Sequence, residues 1–197
     1  IASGKVFANK LKVHLKEQLE EFVNSGKLVL GICNGAQIGI KYNLIFPDDS
    51  QQATLTYNDS GKFECRWVSL EQYKTNLFSK GIDMLPVPVA HGEGKFVKTS
   101  LGNYLLYGME QVAFLYGDFR YPGNPNGSED SIAGVTNAQG NVLLMMPHPE
   151  RNLYFESHPL WTRVKEKLVR EEKEVPRLGM GIMVFKNAVD YASQNLL

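Results

Sequence analysis

The stretch Lys27-Leu28-Val29-Leu30-Gly31-Ile32-Cys33-Asn34-Gly35-Ala36-Gln37 is a short apolar run that closes on a cysteine held between two glycines. Residues 27–32 read as a buried strand, and the residues after Cys33 suit a helix. Gly31 and Gly35 let the backbone turn sharply and approach closely where a side chain would obstruct. A reactive side chain on such a strand-to-helix turn is the construction of a nucleophile elbow. Unpaired N–H groups and the helix dipole at the start of the helix favour negative charge, and so favour the thiolate, the reactive form of cysteine. A cysteine among apolar residues is equally well a small, inert, buried hydrophobe. The choice falls to the rest of the chain, which must supply a base and a group to orient it.

Upstream, residues 8–25 carry Leu11, Leu15, Leu19, Phe22 and Val23 as a helical apolar stripe, and Gly26 is placed to stop the helix. A helix running directly into an apolar strand predicts an α/β domain with a parallel sheet. The elbow then stands at a strand's carboxyl end, the edge where open α/β sheets bind their ligands. Downstream, residues 63–68, 84–90, 111–116, 132–136 and 142–146 read as strands separated by Gly, Pro and Asn turns. Residues 121–128 are too dense in breakers for anything but a loop. A charged amphipathic helix is expected over 160–173, ended by Pro176, and a last helix over 181–196 with Ile182, Phe185, Val189, Ala192 and Leu196 on one face.

At 197 residues and 43% hydrophobic content the chain suits a single domain, residues 1–197. Twenty-one basic residues balance 21 acidic ones, so no global charge argues for nucleic acid or an anionic membrane as partner. No apolar run reaches the roughly 18 residues of a spanning helix and no secretion-type leader opens the chain, so a cytoplasmic protein is expected. Cys33 and Cys65 are then expected to be reduced thiols. Asn58-Asp59-Ser60 and Asn126-Gly127-Ser128 match the glycosylation acceptor pattern, which has meaning only in a secreted protein, and read here as turns. Cys33, Cys65, His91 and His148 lack the paired short spacings of a zinc site, so no metal is expected. No Gly-rich phosphate cradle is present, so no nucleotide site has motif support.

The base is sought after the strand over 142–146, in Pro147-His148-Pro149-Glu150-Arg151. Two prolines restrict the backbone there and fix side-chain directions. His148 and Glu150 are two residues apart, so an extended backbone points them the same way and lets the carboxylate orient the imidazole. A Cys33, His148, Glu150 relay results, in which His148 takes the thiol proton and Glu150 holds its tautomer. Taken singly, His148 is as readily a turn histidine and Glu150 a partner of Arg151. His14 and His158 lack such a setting and read as surface residues.

Together, Gly31-Ile32-Cys33-Asn34-Gly35-Ala36-Gln37 and Met146-Pro147-His148-Pro149-Glu150-Arg151 resemble the class I, triad-type glutamine amidotransferases. Phe63-Glu64-Cys65-Arg66-Trp67-Val68, the run from Pro88 to Phe96 that contains Ala90-His91-Gly92-Glu93-Gly94, and Asn124-Pro125-Asn126-Gly127-Ser128 are similar to the glutaminase component of phosphoribosylformylglycinamidine synthase. The resemblance covers most of residues 28–151. It implies the three-layer, flavodoxin-like α/β fold with a mostly parallel central sheet, and hydrolysis of L-glutamine through a cysteinyl thioester. The ammonia would pass to a synthetase partner that uses ATP and Mg on formylglycinamide ribonucleotide, with no cofactor in this chain. Cys33 would be the nucleophile, His148 the base, Glu150 its partner, and the Asn34 backbone N–H an oxyanion donor. Gln37 matches the family's glutamine-contacting position, the alternative being a helix-surface residue. Arg66 and His91 either hold the substrate's α-carboxylate and shape the pocket or serve as an ion pair and a strand-end cap. The family's fold opens with a strand and a Gly-rich loop that donates a second oxyanion N–H, and the chain as given starts after them. Ile1-Ala2-Ser3-Gly4 reads as an interior join, so roughly fifty N-terminal residues are expected upstream. Readings outside this family are another cysteine hydrolase on a related scaffold and a non-catalytic subunit that has kept the fold.

Overall fold

The computed structural model describes residues 2–47 and 50–196; Ile1 lies outside the described residues. The chain opens with helices α1 (Ala2–His14) and α2 (Lys16–Asn24). The single helix expected over 8–25 therefore starts earlier and bends at Leu15, whose φ of −136° is not helical. The bend has a packing cause: Leu19 and Val23 of α2 reach the sheet's core, while Ala8 is buried where α1 lies on α3 (Asn34–Tyr42). Gly26 stops the helix in a left-handed conformation, φ +80°, as its position predicts.

The expected strands all form. They are β1 (Val29–Ile32), β3 (Glu64–Gln72), β4 (Met84–His91), β6 (Val112–Tyr116), β7 (Ile132–Thr136) and β8 (Val142–Met145), and they make one six-stranded sheet in the order β1-β8-β7-β6-β3-β4. The sheet is mixed. β1 and β8 run parallel, which is where the expectation of parallel pairing holds, and the other four neighbouring pairs run antiparallel. A separate two-stranded sheet joins β2 (Ala53–Thr56) to β5 (Lys95–Lys98), and α4 (Ser100–Gly108) follows with Thr99 as its N-cap, its hydroxyl accepting from the Gly102 N–H. These three elements carry no clear sequence signal: four residues are too few to establish a period, and α4 contains two glycines.

Layering is visible within β8 itself. Val142 and Leu144 join a core with α2, α3 and α4, and Leu143 and Met145 join a second core with Phe78, Ile82 and Val184 of α6 (Ile182–Asn195). A strand buried on both faces reads as continuous apolar sequence, as this one does. α5 (Trp161–Arg170) stands on the surface with no buried residue and ends before Pro176. Glu172 at φ +55° and the Lys173 N–H bonded to the Leu168 carbonyl close it sooner. The loop over 121–128 holds no helix or strand, as expected.

Candidate active site

The β1–β8 pairing builds the site. Ile32 stands opposite Met145, and the Cys33 N–H donates to the Met145 carbonyl at 2.9 Å. Because the two strands are parallel, Cys33 and, three residues past Met145, His148 emerge at the same sheet edge. Cys33 sits at φ 52°, ψ −105°, outside the regions that residues with a Cβ favour, with the Gln37 N–H closing the first helical turn onto its carbonyl at 3.0 Å. A strain of about 1–3 kcal/mol at one residue is tolerated when the surroundings over-determine it, and such strain concentrates at functional positions. Gly31 makes the turn possible, since a Cβ there would lie 2.9 Å from the backbone carbon and oxygen of Gly35. Gly35 is different: a Cβ on it would meet nothing within 4 Å, so no close approach requires a glycine at that position.

The thiol is at rest. Cys33 Sγ donates to the Ala90 carbonyl at 3.8 Å. Burial pushes its pKa above the ordinary 9.0, outweighing the Asn34 backbone N–H and the Arg151 charge that favour the thiolate; Glu150 opposes them. The helix start therefore does not by itself ionise Cys33, which corrects the sequence expectation: desolvation of the anion is the larger effect. The Asn34 N–H does reach the sulfur.

His148 is buried and anchored by its backbone N–H to the Pro88 carbonyl at 2.8 Å. Its Nδ1 lies 2.5 Å from Glu150 Oε1. The pair meets through a 3-10 turn over Pro149–Arg151, not through the extended backbone expected, because Pro149 suits the first position of a helical turn. Glu150 accepts only, so Nδ1 carries the proton and Nε2 presents its lone pair. That Nε2 is buried and has no hydrogen-bond partner among the described residues. Arg151 Nε approaches Glu150 Oε1 at 3.7 Å, so the carboxylate serves both neighbours.

Around this centre the remaining candidates divide. Gln37 donates its amide N–H to the Glu93 carbonyl at 2.8 Å and so ties α3 to the turn after β4. Arg66 donates to Glu64 at 2.5 Å and to the Tyr121 hydroxyl at 2.6 Å, its guanidinium 4.6 Å over the Tyr121 ring. His91 is buried across the β3–β4 ladder from Glu64. Both asparagines of the glycosylation-like patterns are buried: Asn58 bonds His91, and Asn126 donates to the Gly94 carbonyl at 2.7 Å and to the Tyr116 hydroxyl at 3.0 Å. Burial raises the pKa of the Tyr116 phenol, and its proximity to Cys33 adds to the effect. Asn58, Glu64, Tyr116 and Asn126 thus belong to the site's scaffold, and only a buried asparagine's need for partners, invisible in sequence, would have marked two of them. His158 is not a bare surface residue, since its ring meets Trp67 edge-on at 4.9 Å. Cys33 and Cys65 are both free thiols. Among the described residues no group of three His, Cys, Asp or Glu is placed to hold a metal ion, and no helix is long and apolar enough to cross a membrane. Two cavities of about 540 and 600 Å³ open beside the 137–139 turn, at the other end of β8 from His148.

A strained elbow cysteine beside a His–Glu pair, on a sheet covered on both faces, defines a class I glutamine amidotransferase. A family model described as the CobB/CobQ-like glutamine amidotransferase domain matches residues 1–192. The chain is 40% identical over 202 residues to the phosphoribosylformylglycinamidine synthase subunit PurQ of Methanococcus maripaludis, covering 96% of this chain and 74% of that one. It is 37% identical over 204 residues to the PurQ of Dehalococcoides mccartyi, with coverage of 98% and 75%. Among solved structures, PurLQS from Thermotoga maritima contains a chain that matches with a TM-score of 0.65 at 30% identity, over 95% of this chain and 71% of that one. The chain belongs to the glutamine amidotransferase family and, within it, to the PurQ group.

Proposed function

We propose that this chain is the glutaminase component of phosphoribosylformylglycinamidine synthase, with Cys33 as nucleophile, His148 as base and Glu150 as its orienting acid. The observation that carries the reading is the buried, unpartnered Nε2 of His148, on an imidazole whose other nitrogen is held by Glu150. Thiol deprotonation by Nε2 lets sulfur attack the side-chain amide carbon of glutamine. The tetrahedral oxyanion faces the Asn34 N–H, and the imidazolium returns its proton to nitrogen as ammonia leaves. Water, deprotonated by the same imidazole, then hydrolyses the thioester and releases glutamate. A neutral resting thiol suits this cycle, because the proton that His148 must deliver to the departing amide nitrogen comes from Cys33 itself.

The ammonia passes to a synthetase partner, as the naming of the relatives and of the PurLQS assembly supports. ATP and Mg act on that partner's substrate, formylglycinamide ribonucleotide, and this chain requires no cofactor of its own. Gln37 acts here by positioning the turn at Glu93, and Arg66 by offering its charge at the rim of the site.

The test is Cys33→Ala in the reconstituted synthase. Glutamine-dependent synthesis is expected to fall by at least about 10⁴-fold, the scale of losing a nucleophile, while ammonia-dependent synthesis stays within about twofold. Equal loss of both activities would contradict the division of labour.

A further inference from the structure

Helix α5 is amphipathic, yet its apolar side is only partly covered. Trp161, Val164, Leu168 and Val169 form an apolar arc along it, with Arg163, Glu166, Lys167 and Arg170 on the opposite side. Such an arc normally faces a core, but none of its residues is buried or joins either core of the sheet. The helix rests on the 3-10 turn Phe155–Ser157. Trp161 and Leu168 are half-buried, while Val164 and Val169 stay 37% and 54% exposed. Ten residues are too few for a helix to hold in water on propensity alone, and α5 starts without a side-chain cap. A second surface over the arc would supply the packing it lacks.

The charges along the segment select that surface. Residues 161–168 carry Arg163, Lys165 and Lys167 against Glu166, and residues 171–174 carry Glu171, Glu172 and Glu174 against Lys173, so the two ends have opposite sign. Glu171 is already engaged, by Lys167 at 3.8 Å and Lys173 at 2.7 Å. Lys165 and Glu172 have no ion-pair partner among the described residues; the Lys165 ammonium stands 5.9 Å over the Trp161 ring. Lys165 lies about one turn before Val169, and Glu172 about one turn after it, where the chain leaves the helix at φ +55°. Under twofold symmetry a patch meets itself, each residue facing the one that faces it in return. Two α5 helices packed antiparallel about Val169 set each Lys165 beside the other copy's Glu172, giving two ion pairs around an apolar centre. We propose that a second copy of this chain covers α5, through an antiparallel α5 pair centred on Val169. One short helix per side is less than a standard interface, so the dimer is weak and depends on concentration.

The test is sedimentation equilibrium of the whole chain, free of its synthetase, for wild type, Lys165→Glu, Glu172→Lys, the double variant and Val169→Asp. The wild-type mass is expected to rise from that of one copy toward that of two as concentration increases through the micromolar range. Lys165→Glu and Glu172→Lys should each weaken association by about tenfold, since each change turns two symmetry-related attractions into repulsions. The double variant exchanges the two charges and should return association to near the wild-type level, which no damage to folding could imitate. Val169→Asp should stay monomeric with an unchanged far-UV circular dichroism spectrum. A wild type that is monomeric throughout overturns the inference, as does a double variant no stronger than the single ones or a Val169→Asp chain that associates undiminished. A monomeric wild type whose binding to the synthetase is lost on Val169→Asp would assign the cover of α5 to the synthetase instead.

Discussion

Two buried imidazoles, His91 and His148, are each held at Nδ1 by a side chain, and each keeps an Nε2 without a hydrogen-bond partner among the described residues. They differ in the partner: an amide oxygen for His91, a carboxylate for His148. A carboxylate partner stabilises an imidazolium and an amide does not, so only His148 is equipped to carry a proton through the cycle. His91 has a measurable consequence for stability. In the unfolded chain its pKa returns to the ordinary 6.5, while in the fold it lies at about 4. Between those values the unfolded state binds more protons, so stability falls as pH drops from 6.5 toward 4 and the loss levels off below. The full effect is of order 3 kcal/mol. Denaturant midpoints measured across this window are expected to fall more steeply for wild type than for His91→Gln. Parallel slopes would mean that His91 takes up its proton as readily in the fold as in the unfolded chain.

At the scale of elements, the elbow rests on how closely β1 and α3 meet. A Cβ on Gly31 would come within 2.6 Å of Leu144 and 2.9 Å of the Gly35 backbone, while a Cβ on Gly35 finds open space. Gly31→Ala is therefore expected to cost about 1–3 kcal/mol by overpacking and to lower the glutaminase rate by shifting Cys33. Gly35→Ala should be near neutral in stability. Urea denaturation of the two variants checks this, and similar midpoints would show that the turn is not set by backbone contact. The elbow was legible because glycines flank a cysteine after an apolar run, and both the helix stop at Gly26 and the strand β7 over Ile132–Thr136 announce themselves through local chemistry. The kink at Leu15, the antiparallel majority of the sheet and the short β2–β5 ribbon were not legible, because each is decided by which distant surface an element finds. So too were Asn58 and Asn126: their patterns read as turns, whereas burial turns each into a hub of hydrogen bonds under the site.

For the molecule as a whole, one parallel strand pair does the positioning. β1 and β8 bring Cys33 and the segment leading to His148 to one edge, 115 residues apart in sequence, and two carbonyls of β4 hold them, Ala90 accepting from the Cys33 thiol and Pro88 from the His148 N–H. The account stands on Cys33 being the one thiol that glutamine reaches, although Cys65 is the more exposed of the two. The direct measurement is peptide mapping after treatment of the assembled enzyme with an electrophilic glutamine analogue such as a chloroketone. A single adduct on Cys33, suppressed by excess glutamine and accompanied by unmodified Cys65, is the predicted result; an adduct on Cys65 with Cys33 untouched, or labelling of Cys33 that glutamine does not slow, would contradict it.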